Sequence, residues 1–381
     1  MKEDRKKMGK VPNLRFPEFE GDWEETRLSE YLEFKNGLNS DSKNFGKGIK
    51  FISVMDILNN QYITYDNIIG LVDIDIETQK RYEVNYGDIL FQRSSETFED
   101  VGQANVYLDN KSAVFGGFVI RGKKIGNYYP KFFKYLLNSP TARKKVIIKG
   151  AGAQHYNIGQ EGLSSVSLHF PTMQEQEKNA NLLSLLDDRI STQNKTTKEL
   201  ETLIKSLICS FIRKKEKSIP LKNCLTCYSS TLMESTIIKS NGIYPVYGAT
   251  GIITHASEYE IDKDAILIIK DGAGVGKVQY AKDKYSVIGT LNYLIPKENV
   301  SLKYLYYYLM TFNFDKYKVG SGIPHIYFKD YGNEYIYCPS IEEQNKIANF
   351  LSAIDEKLEA EKQILKKYTE QKKYLLANMF V

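Results

Sequence analysis

The sequence predicts an α+β protein: two mixed α/β globules joined by two long helices that form an antiparallel coiled coil. Three observations lead there. The stretch PTMQEQEKNANLLSLLD at 171–187 returns as PSIEEQNKIANFLSAID at 339–355, with nine of seventeen positions identical. Apolar residues then follow both copies at alternating steps of three and four, which is a helical seam. Shorter matches precede both copies in the same order, so globules as well as helices are written twice.

The matches define the elements. GDILFQRSS at 87–95 parallels DAILIIKDG at 264–272, each an acidic turn residue, a short apolar strand and a polar loop. VGQANVYLDNKSAVFGGFVI at 101–120 parallels VGKVQYAKDKYSVIGTLNYLI at 275–295. Both run on into aromatic helical stretches, YYPKFFKYLLNS and SLKYLYYYLMTF, and then into a glycine turn, GAGAQH or GSGIPH. Each repeated helix begins at a proline, a residue suited to the first helical turn. The first seam reads Leu183, Leu186, Ile190, Leu200, Ile204, Leu207 and Phe211, and the second Leu351, Ile354, Leu358, Leu365, Tyr368, Leu375 and Met379. Glu175 and Glu177 early, with Arg213, Lys214 and Lys215 late, suit the helix dipole. Each helix should run about forty residues, roughly 60 Å. The expected division is 12–170, 171–217, 218–338 and 339–381.

Composition excludes several classes. At 381 residues the chain has room for two or three cores, and 42% hydrophobic with 26% charged residues is globular composition. No run approaches eighteen apolar residues, and the basic start MKEDRKKMGK leads into polar sequence, so neither a membrane span nor an ordinary secretory signal is expected. A cytoplasmic protein is the expectation. Four cysteines make no disulfide framework, and Cys224 and Cys227 form a lone CxxC without further soft ligands for zinc.

The net charge of +5 is mild, but between Asp109 and Glu161 there is no acidic residue and there are ten basic ones, interleaved with Tyr and Phe. That pattern points to a polyanion partner. Catalytic signatures are missing. DGAGVGKV at 271–278 lacks the glycine and the hydroxyl residue of a phosphate-binding loop and is expected to be a flexible connection between strands. No HExxH, GxSxG or Pro-Pro pair occurs. His155 and His325, beside glycines, are expected to be turn residues.

The opening VPNLRFPEFEGDWEETRLSEYLEFKNG, the GDIL strand, the GxGxxH turn and the twice-written PxxxEQxKxANxLSxxD together resemble the DNA-specificity subunit of type I restriction-modification systems over nearly the full length. The resemblance implies two target recognition domains reading the halves of a split double-stranded DNA sequence. It also implies a helix pair that sets their spacing and docks two modification (methyltransferase) subunits. The chain itself would be non-enzymatic. S-adenosylmethionine, and ATP with magnesium, would belong to the modification and the restriction (endonuclease/translocase) subunits. An alternative is a non-catalytic coiled-coil scaffold with nonspecific DNA binding. For DNA contact, loops flanking the matched strands are the expectation. These offer Arg93, Ser94, Ser95 and Gln103 in the first globule, with Arg143, Lys144, Lys145 and Lys149 for phosphates. In the second they offer Lys270, Asp271, Lys277, Lys316 and Lys318, with Tyr247 as a base-facing aromatic. Arg and Gln can read base edges, while Lys mostly positions phosphate.

Overall fold

Strand Ile89–Gln92 shows how each globule is built. Ile89 and Phe91 point into one apolar cluster and Leu90 into another, because successive strand side chains alternate between faces. A strand buried on both faces reads as a continuous apolar run, which is why GDILF stood out in the sequence. Strand Ala265–Ile269 does the same, with Ile266 and Ile268 in one cluster and Ala265, Leu267 and Ile269 in the other.

The computed structural model describes residues 10–152, 155–213, 215–236 and 242–381. Lys214, the side chain of Arg213, and Ala153 with Gln154 of the first glycine turn lie outside that description. The chain divides into two units, Met1–Gln193 with Ile364–Val381, and Asn194–Gln363, so the division falls inside both long helices.

In the first unit an antiparallel sheet has the order Leu32–Asn36, Val119–Lys124, Ile89–Gln92, Ala104–Val106. A second sheet pairs Phe45–Ile52 with Ala113–Phe115 in parallel. Helix α1 (Pro130–Asn138) buries Phe132, Phe133, Tyr135, Leu136 and Leu137. It stops at Ser139, which caps α2 (Pro140–Ile147) by accepting from Ala142 N at 3.3 Å. The second unit repeats the antiparallel order with Leu225–Ser229, Leu291–Pro296, Ala265–Ile269 and Val278–Ala281. It also repeats the parallel pairing, between Tyr244–Gly248 and Ser286–Val287.

The long helices are α3 (Met173–Ile208) and α5 (Ile341–Asn378), with the aromatic helix α4 (Leu302–Met310) between them in sequence. In the first unit Leu183 and Leu186 share a core with Leu375 and Met379. Lys372 pairs with Asp187 at 2.5 Å, and Arg189 Nη1 donates to the Tyr368 hydroxyl at 3.3 Å, so the two segments run in opposite directions. In the second unit Ile204 and Ile208 share a core with Ala348, Leu351 and Leu358, Lys362 meets Glu201 at 3.3 Å, and the direction is again opposed, with Phe211 beside Phe350. One seam position differs from expectation. A π-helical turn at Cys209–Arg213 carries the apolar face on to the fully buried Ile212 and leaves Phe211 37% exposed. An extra residue in a helical turn rotates everything beyond it, and heptad counting cannot see that.

The repeated sentence is a clamp. Gln176 accepts from Tyr129 N, at the cap of α1, at 3.1 Å and donates to Pro171 O at 3.0 Å. Gln344 does the same with Ser301 N, at the cap of α4, at 2.9 Å and Pro339 O at 2.8 Å. About three turns on, the Tyr135 hydroxyl donates to Asp187 at 2.9 Å, as the Tyr307 hydroxyl does to Asp355 at 3.4 Å. Each long helix is thereby fixed to the aromatic helix of its own globule, because buried polar groups need specific partners.

The opening segment adds a strap in the first unit. Arg15 forks onto both carboxylate oxygens of Glu175 at 2.8 and 2.7 Å, and the Trp23 indole donates to the same carboxylate at 3.1 Å. Glu175 is 1% exposed. Removing Arg15 strands the buried Glu175 carboxylate, so Arg15→Ala should destabilise the chain by roughly 3–5 kcal/mol. Urea unfolding with linear extrapolation checks this; a loss below about 1 kcal/mol would mean the strap is a surface ornament.

Candidate nucleic-acid interface

Both globules present the same frame at the end of the buried strand. Arg93 N donates to Phe118 O at 2.9 Å, and Ile158 N donates to Arg93 O at 2.9 Å. Lys270 N donates to Thr290 O, and Ile326 N to Lys270 O, both at 3.0 Å. Arg93 and Lys270 are therefore equivalent, as are Ser94 and Asp271. The glycine loops agree, since Gly102 (φ +70°) closes on Gln92 O and Gly276 (φ +89°) on Ile269 O. DGAGVGKV is accordingly a strand connection, as expected.

The frame corrects one alignment. Ala151 bridges Asn157, and Val319 bridges His325. The glycines with left-handed φ just after are Gly152 (+146°) and Gly320 (+92°). The partner of His325 is thus Asn157 and not His155, and the apparent GxGxxH match slides by two residues. Chemistry follows the frame: the Ser94 hydroxyl bonds the Asn157 amide oxygen, and Asp271 pairs with His325 Nδ1 at 2.6 Å.

The other sequence-predicted residues divide by what they touch. Ser95 accepts from Thr97 N at 3.2 Å, and Gln103 donates to Asp100 at 2.7 Å. Arg93 Nη1 reaches Gly117 O at 3.3 Å. Arg143 is spent on the fold: its Nη2 donates to Glu99 O at 2.8 Å and Val101 O at 2.7 Å, and burial lowers its pKa. Lys145 donates to Ser167 O at 3.0 Å. Lys144, Lys149 and Lys277 are exposed. Lys316 pairs with Glu334 at 2.7 Å, and with Tyr317 it holds that carboxyl down at about 2; Lys318 pairs with Asp315 at 2.6 Å. Tyr247 is half-buried, packed edge-on against Tyr285, and burial raises its pKa.

The acid-free stretch is likewise partly internal. Arg121 and Lys134 donate to the carbonyls of Glu83 and Gln61, and Lys111, Lys124 and Lys131 lie over tyrosine rings at 5.1, 4.9 and 5.1 Å. Lysine stems and heads cover aromatic surface efficiently, so a run without carboxylates need not be a solvated basic face.

Sequence reasoning missed a groove of about 470 Å³ in the first unit, beside Ser94 and lined by Phe45, Phe51, Met55 and Phe118. Phe118 is 71% exposed and Met55 61%. The signal available was FGGF, an aromatic after two glycines; a Cβ on Gly117 would collide with the Asn39 side chain.

Two globules with the same antiparallel core order, each clamped to its long helix and each ending in a polar loop frame with its own side chains, define a duplicated recognition module. The model of the type I restriction modification DNA specificity domain matches residues 20–202 and again 224–369. The chain belongs to this family, and it is a DNA-recognition subunit without a catalytic role of its own. Among curated proteins it is 25% identical over 397 residues to a putative type I restriction enzyme MjaX specificity subunit from Methanocaldococcus jannaschii, covering 93% of this chain and 92% of that one. It is 26% identical over 195 residues to the HindI specificity subunit of Haemophilus influenzae, spanning 50% of this chain and 40% of that protein. The fold matches the crystal structure of a type I restriction-modification S subunit from M. genitalium, with TM-score 0.67, 18% identity, and coverage of 97% and 99%. A chain from a structural study of complex assembly and conformational transition of the type I system matches at TM-score 0.54 and 15% identity, covering 93% and 96%. No described helix is long and apolar enough to cross a membrane.

Proposed function

We propose that residues 12–170 and 218–338 are target recognition domains, each reading one half of a bipartite double-stranded DNA sequence, with 171–217 and 339–381 forming the coiled-coil spacer. The observation that carries this reading is the pair of equivalent frames with unlike contents: Arg93, Ser94 and Asn157 in one, Lys270, Asp271 and His325 in the other. Equal backbones with different donors and acceptors suit two different half-sequences. In this reading two modification subunits dock on the helices, and restriction subunits complete the complex. S-adenosylmethionine, and ATP with magnesium, act in those partners. Mapping methylated adenines in the host genome with and without this gene tests it. Loss of one asymmetric, interrupted motif is expected; an unchanged methylation pattern in a host with an active system would refute it.

Phosphate contact in the first globule is assigned to Lys144 and Lys149 rather than Arg143 and Lys145, whose heads are held by backbone carbonyls. Lys144→Ala and Lys149→Ala should each flatten the slope of log affinity against log salt by up to about 0.9. Fluorescence anisotropy across salt concentrations measures this. An unchanged slope with altered sequence preference would place both lysines elsewhere.

A further inference from the structure

The two clamps differ in one respect. In the first unit Asp187 is held by two ammonium groups, Lys372 at 2.5 Å and Lys134 at 3.7 Å, and Lys134 lies 4.3 Å from the Tyr62 ring centroid and 5.3 Å from that of Tyr135. This is an aromatic and carboxylate cage with its cation in place. The frame of the second unit puts Tyr307 where Tyr135 stands, Ser352 for Ser184 and Asp355 for Asp187. Neither of the two cations recurs at its equivalent position. Tyr306 replaces Lys134, and Ile204, 2% exposed, stands at the position matching Lys372 in the helix repeat.

What remains is a cavity of about 420 Å³, walled by Tyr280, Tyr306, Tyr307, Asp355 and Glu359. Tyr306 stands 5.4 Å from Tyr280 and 5.2 Å from Tyr307, centroid to centroid. Among the described residues no ammonium lies within 4 Å of Asp355; Lys362, the nearby cation, bridges Glu201 and Glu359, both at 3.3 Å. Burial, and then the neighbouring Glu359, raise the Asp355 pKa against the opposing pull of the Tyr307 hydroxyl and the more distant Lys362 and Lys303. Lys303, the counterpart of Lys131, and Lys282 also line the cavity; Lys303 acts on Asp355 through space without forming an ion pair with it. Gln61 and Tyr62, which roof the first cage, have no counterpart among the residues lining the second.

We propose that this cavity is a binding site for an organic primary ammonium, supplied either by a lysine side chain of a protein partner or by a free polyamine. Aromatic faces with a half-buried carboxylate are an environment that recognises such a cation, and the first unit builds a more buried version of it around its own lysine. The protein-partner arm rests on the proposed docking of a modification subunit; the polyamine arm does not.

The experiment titrates the full chain calorimetrically with spermidine and, separately, with the modification subunit of the same system. Wild type is compared with Asp355→Asn and with Tyr306→Lys, which supplies in cis the lysine found in the first unit. Circular dichroism and nonspecific DNA binding, unchanged in both variants, certify their fold. At least tenfold weaker binding in both variants is expected for one of the two titrants. Loss with spermidine assigns a free polyamine; loss with the subunit alone assigns a partner side chain. Undiminished binding of both titrants, or no binding of spermidine together with undiminished subunit binding, overturns the site. A wild-type chain that binds no modification subunit would instead refute the docking reading, while the spermidine arm still decides the cavity.

Discussion

A chain whose residues 218–338 are exchanged for the second globule of another family member will direct methylation to a sequence with one half changed and the other retained. The ends of that segment are adjacent: Ser218 N donates to Ile336 O at 2.9 Å, and Ile219–Pro220 pairs with Tyr335–Ile336. Exchange at neighbouring ends disturbs little of the remaining chain. The donor must keep the hydroxyl and backbone N–H that meet Ser352, Asp355 and Gln344, since these are what fix the globule to α5. Each misread base pair costs about 1–3 kcal/mol, so changing a whole half should abolish methylation of the original site. Methylome sequencing of the chimera reads the result. A change in both halves, or in neither, would sink the modular reading.

The second large effect concerns spacing. Four residues inserted after Thr196, with four more inserted after Leu365 to preserve the opposed pairing, should lengthen each helix by about 6 Å. Four residues turn a helix about 400°, so the apolar face is recovered to within about 40° and the seam survives as a local stutter. DNA rises about 3.4 Å per base pair along each strand. The nonspecific gap should therefore grow by one or two base pairs while both half-sequences stay the same. Should a folded, methylating variant keep its original gap, the helices would not set the spacing, and their repetition would serve partner docking alone.

The sequence by itself determined the duplication, the order of elements, the identity of the buried strands and the helical repeat. These follow from local rules: a strand buried on both faces must be continuously apolar, and a long helix packed along one side must be periodic. It also indicated Arg93 with Ser94 and Lys270 with Asp271 as matched loop positions, because strand and loop stay in register through a conserved strand length. Three matters were left to tertiary structure. Which cations face outward depended on carbonyls distant in sequence: Arg143 and Lys145 are taken by Val101 and Ser167, so charge counting overstated the basic face. The partner of His325 depended on strand bridges, which identify Asn157 where pattern matching chose His155. And the repeated Gln, Ser and Asp of the long helices showed in the sequence only as repetition; all but the half-buried Asp355 are buried, and the Gln and Asp side chains bond the aromatic helices α1 and α4 or their caps. A polar side chain's role is set by the partner that satisfies it, and the partner is chosen by the fold.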